Sequence, residues 1–227
     1  MISDNIIRFL HALNFNKALP AGVSIMNPYI DETSAILSEL FYRKYYSDEK
    51  QRIIILGINP GRFGAGVTGI PFTDTKRMVS VCKIPYKGPV THEPSSVFVY
   101  DVIERFGGPD AFYGKFFFGA VCPLGFTSRA INGKEINYNY YDSKELLEAT
   151  GEFILENLKK QLEIGINTDY AFCLGTGQNY KYLSAINDRT GFFKKIKPLE
   201  HPRYIMQYKH KSKEEYVEKF LSFFEGL

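Results

Sequence analysis

The chain has 227 residues, below the roughly 250 to 300 at which single hydrophobic cores stop growing, and is read as one domain over residues 1–227. Its 44% hydrophobic and 23% charged content argues against a largely disordered protein. A formal net charge of +3 is too small to signal a nucleic-acid partner unless the positives gather on one face, and Cys82, Cys122 and Cys173, far apart and without a CxxC pair, argue against a disulfide scaffold, a zinc ribbon or an iron–sulfur site.

In chain order, Ile6, Ile7, Leu10 and Leu13 recur at helical spacing behind Ser3, a good N-cap, and predict an opening amphipathic helix. A second helix is predicted from Thr33 to Tyr45. The run Ile53 to Leu56, ending at Gly57, reads as a strand buried on both faces, followed by a loop and not a helix. Ser95 is read as the cap of a helix to Phe106, Phe116 to Val121 as a second strand, and Ser143 as the start of the longest helix, to Glu163. A third strand is predicted from Tyr170 to Leu174, a helix from Tyr180 to Asn187, a short strand before His201, and a closing helix from Ser212 to Phe224. Buried strands alternating with helices imply an α/β fold with a mostly parallel sheet covered on both faces. Function is then expected in the loops beyond the strands' carboxyl ends. No run reaches the roughly 18 apolar residues of a membrane span, and the amino terminus lacks a secretory signal, so an intracellular protein without a membrane partner is expected.

The loop GINPGRFGAGVTGIPFTD, Gly57 to Asp74, holds five glycines and two prolines. Gly64, Gly66 and Gly69 formally match a dinucleotide fingerprint. That fingerprint must follow its strand at once and open a helix, whereas Asn59-Pro60 intervenes here and Pro71 stands just behind; a Walker lysine is also missing. What remains is Asn59 at the strand tip, able to orient water without titrating or simply to close a turn, and Phe72 at the far end of the loop.

These residues resemble the first motif of the uracil-DNA glycosylase superfamily, and in particular of its single-strand-selective monofunctional family: Gly57, Asn59, Pro60, Gly61, Phe63 and Gly64, then Thr68, Gly69, Pro71 and Phe72. Met26-Asn27-Pro28, Cys122-Pro123-Leu124, Leu174 to Gly177 and His201-Pro202 resemble further family elements in the same order. The resemblance implies a three-layer α/β/α fold with a short, mostly parallel central sheet. It also implies a DNA repair enzyme that flips uracil or a related damaged base out of DNA and hydrolyses its N-glycosidic bond without a metal or organic cofactor. Asn59 would position the water and His201 stabilise the departing base anion. Phe72 would stack on the base, and backbone amides at Ile58 and Gly61 would line its pocket. No lysine stands at a motif position to form a Schiff base, so the implied enzyme is monofunctional.

Three departures bear on this. His201-Pro202-Arg203-Tyr204 is two residues shorter than the family's wedge loop, leaving Arg203 or Tyr204 to fill the space of the flipped base or to meet phosphate. Arg62 replaces the usual proline. Ala120 stands where the family has the asparagine that reads the uracil edge; alanine can neither donate nor accept, and Asn137 or Asn139 are the nearby substitutes. Seven Lys/Arg between residues 194 and 213, against the single acid Glu200, flank His201. A basic run is usually a solvated face. Beside a base-flipping site it is where phosphate contacts belong, Lys209 among them, and Tyr204 and Tyr208 are placed to stack on unpaired bases. The implied partner is single-stranded or lesion-containing DNA, bound by a monomer, in the cytoplasm beside the nucleoid if the source is bacterial. The alternatives are a glycosylase for a different base, a protein that binds lesion or single-stranded DNA without cleaving it, and a purely structural domain, which gives no reason to keep Asn59 and His201 in these contexts.

Overall fold

The computed structural model describes residues 1–226. In chain order its elements are α1 (Ile2–His11), β1 (Val23–Met26), α2 (Glu32–Tyr45), β2 (Arg52–Gly57), α3 (Ala65–Thr68), α4 (Thr75–Ser80), α5 (Pro94–Arg105) and α6 (Pro109–Lys115). They continue as β3 (Phe116–Ala120), β4 (Gly125–Arg129), β5 (Glu135–Tyr138), α7 (Lys144–Leu162), β6 (Ile166–Leu174), α8 (Gln178–Thr190), β7 (Lys195–Leu199), α9 (Pro202–Tyr208) and α10 (Lys213–Glu225).

Four strands form a parallel sheet in the order β3-β2-β6-β7. Ile54, Ile55 and Leu56 are fully buried because β2 lies inside the sheet with helices over both faces, which is why it reads as an unbroken apolar run. Neighbouring residues of β3 show the two layers. Phe117 packs on Tyr42 and Tyr46 from the α2 side, while Phe116 packs on Phe224 of α10 and Phe118 on Phe112 of α6. This is the α/β/α arrangement with the parallel sheet that the sequence implied.

The structure corrects several details. Helix α1 begins two residues earlier than a Ser3 cap allows: Met1 is the N-cap and Ser3 lies buried in the first turn, because Ile2 also belongs to the apolar face. Helix α5 is capped by Glu93 and not by Ser95, and Asp31 caps α2 through its side chain. The segment after β2 is not wholly loop, since α3 and α4 interrupt it. A second, antiparallel sheet, β1-β4-β5, was not read from the sequence, where only the Asn132-Gly133 turn between β4 and β5 marks it. Its outer strands are four residues each and partly exposed, so they carry no apolar run. That sheet is nonetheless what holds the loop after β2.

Candidate active site

The carboxyl ends of β2 and β3 open into a cavity of about 240 Å³, at the position where parallel α/β sheets place their ligands. Asn59, Ile58, Gly61, Phe72, His201, Arg203 and Tyr204 all line it. Lys209 does not line it; it follows α9 at the helix's C-terminal end.

Asn59 sits just beyond β2 and is held by the segment that leaves β5. Its Oδ1 accepts the Tyr140 N–H at 3.2 Å, and its Nδ2 donates to the Tyr138 carbonyl at 3.3 Å. Both ends of the amide are thereby assigned, and Oδ1 keeps one lone pair. Tyr140 is fully buried, and its hydroxyl donates to Asn179 Oδ1 at 2.8 Å. Asn179, in the first turn of α8, in turn donates to the Leu174 carbonyl at 2.9 Å. A hydrogen-bonded chain therefore runs from Asn59 to the end of β6. Neither Tyr140 nor Asn179 was singled out from the sequence; the only signal was an Asn just behind the strand-end glycines. Arg62 completes the attachment, with its N–H donating to Asn137 Oδ1 at 3.0 Å and its guanidinium to Glu135 of β5 at 2.8 Å.

Phe72 forms the apolar wall. Its ring centroid lies 5.2 Å from that of Phe118 and 5.8 Å from the His201 ring, and its backbone has φ 54°, a left-handed conformation costly for a bulky residue. Its edge lies against Gly57: a Cβ there would stand 3.3 Å from the Phe72 Cζ, so any larger residue would push the ring by a few tenths of an ångström.

His201 is the N-cap of α9, and its Nδ1 accepts the Arg203 N–H at 3.1 Å. Since Nδ1 is an acceptor, the ring proton resides on Nε2, leaving that nitrogen as a donor. Burial, and secondarily the Arg203 charge, pushes its pKa down to about 3, so the ring is neutral at physiological pH. Its other neighbours at the mouth are exposed: Tyr204 and Tyr208, with ring centroids 5.6 Å apart, both line the opening.

The position of Ala120 is closed from behind. Gln161 of α7 accepts the Ala120 N–H at 3.2 Å and donates to its carbonyl at 3.0 Å, capping the free edge of β3. The two proposed substitutes for a base-reading amide part company. Asn137 does not line the cavity, and Asn139, which does, donates its amide to Asp142 at 3.1 Å. The basic stretch also divides. Lys194 pairs with Asp169 and Lys213 with Asp101, each at 2.7 Å, and Lys197 lies over the Tyr170 and Phe223 rings; of the seven, only Arg203 lines the cavity.

All three cysteines are free and buried, and burial pushes the thiols of Cys122 and Cys173 up to about 12. Among the described residues no three His, Cys, Asp or Glu side chains cluster as metal ligands, and no helix is long and apolar enough to cross a membrane.

The model of the uracil DNA glycosylase superfamily matches residues 43–225 of the chain. The crystal structure of wild-type SMUG2 from Pedobacter heparinus is 55% identical over 99% of this chain and 97% of that one, with a TM-score of 0.96. No curated protein matches.

Proposed function

The chain belongs to the uracil DNA glycosylase superfamily and is a DNA glycosylase, a hydrolase of N-glycosyl bonds; on that premise we propose that it is a monofunctional base-excision repair enzyme in which Asn59 positions the hydrolytic water and His201 stabilises the departing base. The observation that carries this is the convergence of Asn59, Phe72 and His201 on one cavity, with His201 neutral and its Nε2 proton available. The leaving group of N-glycosidic cleavage is an anionic base. A fixed neutral donor where that charge develops lowers the barrier without reorganising. Asn59 is too weak a base to deprotonate water in its ground state, so its role is to hold water in line with C1′ of a sugar that already carries positive charge. Phe72 stacks on the extracted base, with the backbone at Ile58 and Gly61 forming the adjoining wall. Because no lysine lines the cavity among the described residues, the cleaved sugar is not captured as a Schiff base.

The DNA acted on is single-stranded or lesion-containing, because extrusion costs a few kcal/mol and least where pairing is already lost. Arg203 and Tyr204 meet the strand at the mouth and Lys209 reaches phosphate beyond it; the chain works as a monomer inside the cell. Release of uracil from a single-stranded oligonucleotide, compared with Asn59→Ala and His201→Ala, tests the roles. Strong loss in both variants is expected, and equal release by all three proteins refutes them. Ala120 favours a second reading that changes only the base. If uracil is released more slowly than another deaminated or oxidised base, the second reading replaces the first.

A further inference from the structure

Glu93 is the only carboxylate among the described residues that line the cavity. It occupies the N-cap of α5, where Ser, Thr, Asp and Asn are favoured, yet its side chain makes no capping bond. Nor does its carboxylate form a hydrogen bond or an ion pair with any other described residue. Its backbone is fixed: Asp74, two residues beyond Phe72 and fully buried, accepts the Glu93 N–H at 2.9 Å. The carboxylate lies against the glycine-rich loop so closely that a Cβ at Gly64 would fall 2.0 Å from Oε2. Around Gly61, two residues beyond Asn59, Glu93 Oε1 and Arg203 Nη2 lie 3.5 and 3.6 Å from the same Cβ position. The carboxylate therefore stands between the loop that follows Asn59 and Arg203 of α9, in the lining of the cavity that Asn59, Phe72 and His201 share.

We propose that Glu93 is a catalytic residue of the glycosylase, stabilising the positive charge that develops on deoxyribose and accepting the proton that the attacking water loses. It supplies what Asn59 cannot, since a neutral amide neither balances a cation nor takes up a proton. The bond from C1′ to the base nitrogen breaks with its electron pair leaving on the base. The water oxygen bonds to C1′, and one water proton passes to Glu93 and then to solvent. The base anion, hydrogen-bonded to His201, takes its proton from solvent. Burial raises the Glu93 pKa above the usual carboxylate value, Arg203 opposes that shift and Asp74 adds to it, which makes the carboxylate a better base than an exposed one. The charged groups facing it are Arg203 from α9 and Asp74 before α4; Asp74 is itself paired with Arg77 at 2.9 Å and approached by His92 at 4.0 Å.

The inference rests on the roles given to Asn59 and His201, and single-turnover base release separates the two. Wild type, Glu93→Gln and Glu93→Ala are compared from pH 4.5 to 8 on single-stranded oligonucleotide bearing uracil or another deaminated or oxidised base, with DNA affinity read by fluorescence anisotropy. Glu93→Gln is expected to slow release on the order of 100-fold, to leave affinity within about threefold, as its exchange touches no phosphate contact, and to abolish the acid limb of the pH profile. Formate is expected to restore part of the rate to Glu93→Ala. An active wild type with Glu93→Gln equally active overturns this inference alone. So does a slow Glu93→Gln that keeps the wild-type pH profile while formate fails to rescue Glu93→Ala, the signature of a structural carboxylate. A wild type that releases no base from any of the oligonucleotides overturns the roles of Asn59 and His201 and this inference with them.

Discussion

Lowering the pH from 7 to 5 tests the neutral state of His201 directly. In the folded chain its pKa is pushed down to about 3, by burial first and by Arg203 second; unfolded, an imidazole titrates near 6.5. Between those values the unfolded state binds more protons than the folded one. The stability contributed by the neutral ring is therefore complete above about pH 6.5 and is lost progressively as the pH falls towards 3. At about 1.4 kcal/mol per pH unit in that window, the step from pH 7 to 5 removes at most about 2 kcal/mol, less any relief from the part of the ring that faces the cavity. Urea unfolding at the two pH values, for wild type and His201→Gln, isolates the effect because the variant has no imidazole to charge at this position. Wild type is expected to lose up to about 2 kcal/mol more than the variant. Nitrogen-15 NMR of the imidazoles gives the complementary readout. The chain has only four histidines, and the resonance missing from His201→Gln is expected to show protonated Nε2 and bare Nδ1 down to pH 5. A His201 signal that titrates above pH 6, or one with its proton on Nδ1, refutes the electrostatic account of leaving-group stabilisation.

Tyr140→Phe removes the only donor to buried Asn179 Oδ1 among the described residues and is expected to cost about 1 to 3 kcal/mol in denaturant unfolding, with base release lowered further than affinity because Asn59 loses the segment that orients it; unchanged turnover refutes the positioning chain. Gln161→Leu strips the Ala120 N–H and carbonyl of their partners. A loss of at least about 1 kcal/mol is expected by thermal or urea unfolding, and an unchanged midpoint shows that water caps that edge as well as the side chain does. Ala120→Asn restores an amide where a base edge would be read and is expected to raise uracil release on the order of tenfold, the worth of one buried hydrogen bond; a folded variant with an unaltered rate on uracil shows that the base does not reach that strand end.

Much of the parallel sheet was legible because its signals are local. Ile54 to Leu56 is buried on both faces, so its run is unbroken, and Ser143 caps α7 through its side chain as its position before a periodic segment suggested. The glycine-rich loop was legible for a different reason: a backbone path that brings Phe72 against Gly57 tolerates few residue types, so its spelling is specific. The residues of β1, β4 and β5 have no such apolar run. β1 finds its partner only in distant β4, and β1 and β5 are partly exposed, so a polar segment such as that from Asn137 to Tyr141 spells loop while it builds the support of Asn59.

By itself, then, the sequence determined the sheet's central strands, the family and the convergence of Asn59, Phe72 and His201, since burial on both faces and a constrained loop leave marks within a few neighbouring positions. Only the tertiary structure decided the states of those residues. Which nitrogen of His201 holds the proton depends on one backbone N–H two residues away and on how deeply the ring is buried. How Asn59 is turned depends on Tyr140 and Asn179, 81 and 39 positions apart along the chain from their respective partners. That a carboxylate at a helix cap faces the cavity without a hydrogen bond to any other described residue depends on three separate segments packing around Gly61. Desolvation and hydrogen-bond geometry are properties of that packing, and no local pattern of residues encodes them.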